Sequence, residues 1–218
     1  MSIEKINASK KALEFVKDGM VVGLGSGTTA KEFIKLLSEK VKKDKISIKC
    51  VYTSYDSKIY AMQLGLHIFE LDQVDGIDIT VDGADVATKT ALLKGGGGAC
   101  TREKIVGYSA KQFIVIVDES KIKNNLEGKV VVEVVPAAYS FVLKELQKIS
   151  KASVRMAGGK LGPIITDNGN LLIDAEMLVK NPKEMEKTLK NIPGVVENGI
   201  FTKFDKIIIG LKDGTKVL

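Results

Sequence analysis

The stretch Met20-Val21-Val22-Gly23-Leu24-Gly25-Ser26-Gly27-Thr28-Thr29-Ala30, continued by Phe33, Ile34, Leu36, Leu37 and Val41, decides the fold class. The apolar run at 20–23 predicts a short buried strand, and the broad apolar face over 28–41 predicts a helix. A glycine-rich turn joins them. The same alternation continues outward in both directions. Upstream, Ile3, Ile6, Leu13 and Val16 fall near helical spacing, and Asp18-Gly19 ends that helix. Downstream, strands are predicted over 46–51, 66–69, 77–81 and 112–117, with helices over 57–64 and 101–108. Repeated strand–helix units of this kind predict an open, largely parallel, doubly wound α/β sheet covered on both faces. Ligands of such sheets collect at the carboxyl ends of the strands, where the loops after Gly23, Val81 and Val117 lie.

The remainder reads differently. Strand 129–135, helix 137–148, strands 152–156 and 171–175, helix 182–192 and strand 195–201 follow the split βαβ, ferredoxin-like order. Asp167-Asn168-Gly169-Asn170 supplies a tight turn before the third of these strands. Residues 206–218 read as a hairpin around Asp213-Gly214 that returns to the first domain. The expected division is a catalytic α/β domain of residues 1–128 and 205–218, and a smaller α+β domain of residues 129–204.

Composition narrows the chemistry. The chain has 218 residues, 44% hydrophobic and 28% charged, an ordinary globular balance. No stretch approaches the roughly 18 apolar residues of a membrane span, and the opening Met1-Ser2-Ile3-Glu4-Lys5 does not read as a signal peptide. Cys50 and Cys100 are too few for a disulfide framework and point to a reducing, cytoplasmic setting. A net charge of +6 suits a small anionic substrate as well as nucleic acid, but the lysines are scattered, with no basic–aromatic stripe. His67 is the one histidine, and its setting, Leu66-His67-Ile68-Phe69, reads as a structural strand position. A histidine-rich metal site is excluded, and a general base is expected to be a carboxylate or a lysine.

Four loops carry polar groups with chemical use. In Gly25-Ser26-Gly27-Thr28-Thr29, backbone amides and a helix N-terminus suit an anion, with three hydroxyls beside them. It is neither a P-loop nor a dinucleotide fingerprint, and its plain reading is a tight turn with a hydroxyl cap. Asp82-Gly83-Ala84-Asp85 ends an apolar strand with two carboxylates. They suit sugar hydroxyls, a metal completed by a phosphate-rich substrate, or a helix cap. Lys94-Gly95-Gly96-Gly97-Gly98 precedes a short helix holding Cys100, Arg102, Glu103 and Lys104, and close approach of its backbone to a ligand accounts for so costly a run of glycine. Glu103 falls in the first helical turn, where the dipole favours its ionised form and burial opposes it. Lys121, after strand 112–117, can add charge toward an anion.

Together these segments resemble the type A ribose-5-phosphate isomerases over nearly the whole chain. The resemblance runs through Gly-Ser-Gly-Thr-Thr at 25–29, Asp-Gly-Ala-Asp at 82–85, Lys-Gly-Gly-Gly at 94–97 and Thr-Arg-Glu-Lys at 101–104. It continues through Lys121, Thr-Asp-Asn-Gly-Asn at 166–170 and Ile-Pro-Gly-Val-Val at 192–196. The family usually carries Glu where this chain has Val86. The resemblance implies interconversion of ribose 5-phosphate and ribulose 5-phosphate through an enediolate, with Glu103 as base and Lys94, Asp82 and Asp85 assisting. It implies sugar-phosphate contacts from Ser26, Gly27, Thr28, Thr29, Asp82, Gly83, Ala84, Asp85, Lys94, Gly95, Gly96, Gly97 and Lys121, with Lys5 near the phosphate. It also implies a homodimer or homotetramer. No metal or other cofactor, nucleic acid or membrane is expected to take part. The competing readings are a non-catalytic sugar-phosphate sensor, for which a helix-turn-helix would need spare length, and an amino-sugar phosphate deaminase, for which His67 is poorly placed.

Overall fold

The computed structural model describes residues 2–218. In chain order its elements are α1 (Ile3–Leu13), β1 (Val21–Leu24), α2 (Thr28–Asp44), β2 (Lys49–Tyr52), α3 (Tyr55–Gln63), β3 (Ile68–Phe69), β4 (Ile77–Asp82), β5 (Val86–Ala87), β6 (Leu92–Leu93), α4 (Cys100–Ser109) and β7 (Ala110–Asp118). There follow β8 (Glu127–Val134), α5 (Tyr139–Gln147), β9 (Lys151–Val154), β10 (Leu171–Leu178), α6 (Pro182–Lys190), β11 (Val195–Asn198), β12 (Ile200–Phe201), β13 (Lys206–Leu211) and β14 (Gly214–Val217). The described residues divide into two units: residues 2–84, 102–122 and 203–218 form the first, and residues 85–101 and 123–202 the second.

The first unit is a seven-stranded sheet in the order β14-β13-β7-β4-β1-β2-β3. Every neighbouring pair is parallel except β13 with β14, so the doubly wound expectation describes the sheet with one antiparallel edge strand. The parallel strands are apolar because both faces are covered. Val22, Leu24, Ile79, Val81, Ile114, Ile116 and Ile208 pack with Ala8 and Ala12 of α1 and with Phe33, Ile34 and Leu37 of α2. That α2 run is the apolar face read from the sequence. The register sets Leu24 beside both Tyr52 and Val81, and Val81 beside Ile114, so the loops after β1, β2, β4 and β7 leave the same margin of the sheet. Helix α3 begins earlier than its apolar spacing suggests, because Ser54 caps it by accepting the Ser57 N–H on its hydroxyl and donates its own N–H to the Ser57 hydroxyl in return.

The second unit holds the antiparallel sheet β11-β8-β10-β9, with the order and helices of a βαββαβ fold. Valines 130, 132 and 134 of β8 pack with Ile173 and Ala175 of β10, Val142 and Leu146 of α5, and Leu189 of α6. The single strand expected over 195–201 is broken. A Cβ at Gly199 would stand 2.2 Å from the Lys94 carbonyl oxygen, and Asn198 Oδ1 takes the Ile200 N–H. The chain therefore leaves the β8 edge, and β12 instead pairs with β6 in a small sheet β12-β6-β5. Those hydrogen bonds, with Lys94 N–H to Gly199 O and Lys123 N–H to Ala87 O, join residues 85–101 to the second unit, whereas the sequence reading set 85–101 and 123–128 in the first. No helix among the described residues is long and apolar enough to cross a membrane.

Candidate active site

In the first unit the site grows from a pair of glycines in and just after β1. Thr80 of β4 donates its hydroxyl to the Val106 carbonyl of α4 at 3.1 Å, so the α4-facing side of β4 carries Thr80 and, two residues on, Asp82. On the neighbouring β1 path the matching positions are Gly23 and Gly25. A Cβ on Gly23 would stand 2.2 Å from Thr80 Oγ1 and 2.8 Å from Val106; one on Gly25 would stand 2.2 Å from Asp82 Oδ1. The room left by the two missing side chains is taken by α4 and by the Asp82 carboxylate. Asp82 is 0% exposed, and its Oδ1 accepts the backbone N–H groups of Ser26 at 3.0 Å and Gly83 at 2.7 Å. A strand-end acid thus fixes the glycine loop of the neighbouring strand.

Glu103 sits one helical turn ahead of Val106 on α4 and is 5% exposed. Residues three apart share a helix side, so Glu103 lies on the side of α4 that Val106 turns to the sheet. Helix α4 is the crossover between parallel strands β4 and β7, which puts its first turn toward the carboxyl margin. Going from Val106 to Glu103 climbs about 4.5 Å along the helix, and going from Thr80 to Asp82 climbs about 6.6 Å along the strand. Both acids therefore lie toward the carboxyl margin of the sheet, Asp82 at the last position of β4. One oxygen of each, Asp82 Oδ2 and Glu103 Oε2, is buried and accepts no hydrogen bond, although both residues interact elsewhere. Next to Glu103, the Arg102 guanidinium lies 5.8 and 5.1 Å from the ring centres of Tyr52 and Tyr55.

The hydroxyls of the glycine loop have separate fates. Ser26 Oγ is 2.8 Å from Thr53 Oγ1 and 2.7 Å from Ser54 Oγ, so its side chain is tied to the end of β2 and the cap of α3. Thr28 heads α2 and accepts the Lys5 ammonium at 2.9 Å, a cation at a helix start that adds to the anion-attracting end of the dipole. Lys5 also lines an open cleft of about 890 Å³ with Asp118, Glu119 and Ser120, the residues leaving β7. Lys121 is half-buried in the single 3-10 turn Glu119–Lys121 that follows. Gly83 and Ala84 continue the chain from Asp82 to the edge of the unit. Two groups singled out earlier stand apart. His67 is exposed and contributes its carbonyl to Cys50 N–H, and burial pushes the Cys50 thiol up to about 12.

The second unit holds the remaining expected residues. Asp85 Oδ2 accepts the Gly96 N–H at 2.8 Å, which folds the glycine turn back on the acid. Arg155, whose Nε donates to both Asp174 oxygens at 3.1 and 3.0 Å, also donates to the Gly95 and Gly96 carbonyls at 3.0 Å each. Lys94 is 2% exposed, with its ammonium 5.6 Å from the Phe201 ring centre. Gly97 has open space around it. Sequence reading missed Thr53, Ser54, Arg155 and Asp174 as supports of the two glycine loops. The Ser-x-x-Ser spacing at 54–57 was a readable cap signal; the Arg155–Asp174 pair had none, because a strand pairing sets those residues together.

Comparison with known proteins points to one family. The family model of ribose 5-phosphate isomerase A (phosphoriboisomerase A) matches residues 49–214. The ribose-5-phosphate isomerase A of Methanococcus aeolicus is 52% identical, over 98% of this chain and 94% of the relative. The structure of the ribose 5-phosphate isomerase A of Methanocaldococcus jannaschii superposes with a TM-score of 0.96 at 46% identity, covering 99% of this chain and 97% of that one. A D-ribose-5-phosphate isomerase solved in complex with phospho-erythronic acid gives 0.96 at 47% identity, covering 100% and 99%.

Proposed function

This chain belongs to the ribose 5-phosphate isomerase A family and is an aldose–ketose isomerase, and we propose that it moves the C2 proton of ribose 5-phosphate to C1 by way of Glu103. Glu103 takes the proton from C2 of the open-chain aldose. The electrons of that C–H bond form a C1–C2 double bond, and the C1 carbonyl oxygen takes up the charge as an enediolate. The same carboxyl returns the proton to C1 while the O2 proton moves to O1, leaving the ketose. One acid serves both transfers because C1 and C2 are adjacent, and oxidation level is conserved overall. A positioned proton carrier of this type contributes roughly 10²–10⁴ in rate.

The observation that carries the reading is the burial of Glu103 on the sheet-facing side of α4, in the unit whose Asp82 grips the glycine loop. In this reading Thr28, Thr29 and the amides of Gly27 to Thr29 hold the phosphate with Lys5, and Lys121 adds charge. Asp82 and Gly83 hold sugar hydroxyls and assist ring opening. Ser26 adds a substrate contact and also anchors the loop through its bonds to Thr53 and Ser54. The proposal extends to Asp85, Lys94 and the backbone of Gly95 to Gly97, with the Lys94 ammonium stabilising the enediolate oxygen. The phospho-erythronic acid bound by the related isomerase carries a carboxylate on a sugar-phosphate chain, and its name supports a sugar phosphate as this chain's ligand. A cytoplasmic homodimer or homotetramer completes the proposal; two free thiols suit the reducing compartment alone, and light scattering at assay concentration tests the assembly.

Glu103→Gln is the test. It keeps shape and removes the titrating oxygen, so ketose formation falls by at least ~10²-fold with an unchanged thermal midpoint. A folded variant that keeps more than about a tenth of wild-type turnover excludes Glu103 as the base.

A further inference from the structure

One buried acid has no part in the chemistry above. Glu133 is 0% exposed within the apolar strand β8, and four side chains donate to its two oxygens. Oε1 accepts Thr166 Oγ1 at 2.9 Å, Asn168 Nδ2 at 3.0 Å and Asn170 Nδ2 at 2.8 Å; Oε2 accepts Thr101 Oγ1 at 2.5 Å. An ionised carboxylate offers about four acceptor positions, so the set is matched in number. The turn at 166–170 is itself closed by Thr166 N–H to Asn170 O and by Asn168 and Asn170 N–H to Thr166 Oγ1. The Thr-Asp-Asn-Gly-Asn segment is therefore a preformed cage for one carboxylate. A cage this complete is more than a strand needs. An apolar residue at position 133 would satisfy β8, whereas a buried acid demands every one of its donors.

The fourth donor gives the acid a use. Thr101 is the second residue of α4, two positions ahead of Glu103. In that first turn the helix has no earlier carbonyls to hold it, and its residues are the first to fray. A hydroxyl bonded to a buried carboxylate fixes the turn from its side chain instead. We infer that Glu133, through Thr101, is a positioning residue for the proton transfer: it fixes the first turn of α4 and so the place of the Glu103 carboxyl. The inference rests on Glu103 being the base, and the misplacement it guards against is severe, since about 1 Å can cost ~10² in rate.

The experiment compares Thr101→Val, which keeps the branched shape and removes the hydroxyl, with Thr101→Ser, which keeps the hydroxyl, and with Glu103→Gln. The readouts are kcat and KM for ribose 5-phosphate, the kinetic isotope effect with substrate deuterated at C2, and the thermal midpoint. For Thr101→Val, assayed well below its midpoint, kcat falls at least about tenfold, KM stays within threefold, and the isotope effect on kcat is no smaller than in wild type. Thr101→Ser restores kcat to within twofold of wild type. A folded Thr101→Val with kcat within twofold of wild type overturns the inference and leaves Glu133 a structural residue only. If Thr101→Val does not fold, Thr101→Ala, which leaves space for water on Oε2 but no tether, is judged by the same kcat criterion. A folded Glu103→Gln that keeps more than about a tenth of wild-type turnover would instead remove the base assignment, a failure separable from the first.

Discussion

Gly25→Ala tests whether the glycine of the first loop is there for the ligand or for Asp82. The new methyl would stand 2.2 Å from Asp82 Oδ1, 2.4 Å from its Cγ and 2.5 Å from its Cα. The carboxylate can rotate away from such a contact, but the Cα cannot, so β4 must retreat from β1 by about 1 Å. That retreat breaks the Ser26 N–H bond to Oδ1, at 3.0 Å. Overpacking costs about 1–3 kcal/mol, and a bond to a charged acceptor is worth about 1.5–3 kcal/mol. The sum for one bond and the overlap is about 2.5–6 kcal/mol. Urea unfolding followed by circular dichroism measures it as a lower midpoint at unchanged slope. Because the displaced groups are the proposed sugar contacts, kcat/KM for ribose 5-phosphate falls by at least ~10²-fold even where the variant is fully folded. A stability loss below 1 kcal/mol with kcat/KM within tenfold of wild type would refute the argument that Asp82 occupies the space Gly25 leaves.

Three further outcomes check other parts of the structure. Lys5→Met removes the ammonium beside Thr28 and raises KM about tenfold with kcat little changed, as for one lost charge-assisted bond; an unaltered KM across a salt titration would separate Lys5 from the phosphate. Thorough chelation leaves turnover unchanged, and activity that vanished and returned with Mg²⁺ would give Asp82 and Asp85 a metal role. Asp78 on β4 is held below its ordinary 3.8 first by the Lys111 hydrogen bond and then by the Val21 N–H. A depressed folded pKa adds stability above the unfolded value near ~3.9, and that stability is lost as pH falls through the folded value. Asp78→Asn should therefore cost about 1 kcal/mol at neutral pH and flatten the stability profile below about pH 4, as read from urea midpoints at both ends.

Much of this was legible because the signals were local. The apolar run at 20–23, the glycines after it and the α2 face gave the first βα unit, and the strand–helix order of 129–201 gave the second unit. What stayed hidden depends on contacts distant in sequence. Gly199 breaks a strand because Lys94 passes against it, so neither the break nor the attachment of residues 85–101 has a local cue. Ser26 read as a ligand donor, and no local pattern shows that Thr53 and Ser54 also reach it from the next strand. Glu133 did leave a trace: an acid inside Val130-Val131-Val132-Glu133-Val134-Val135 is out of place in a buried strand unless something meets it. Its partners, read only as a turn at 166–170, supply that something.

The order in which the first sheet is threaded has a consequence for biosynthesis. Strand β7 is flanked by β4, already made, and by β13, which lies far downstream; Phe113 N–H and the Asp205 carboxylate that receives it are 92 residues apart. Ribosomes add about 5–20 residues each second, so for roughly 5–20 s the nascent chain carries Ile114, Val115, Ile116 and Val117 along an open hydrogen-bonding edge. An edge of that composition invites pairing with a neighbouring nascent chain. Expression at lower temperature, or with chaperones that shield β-edges, should therefore raise the yield of this enzyme more than substitutions that stabilise its finished core.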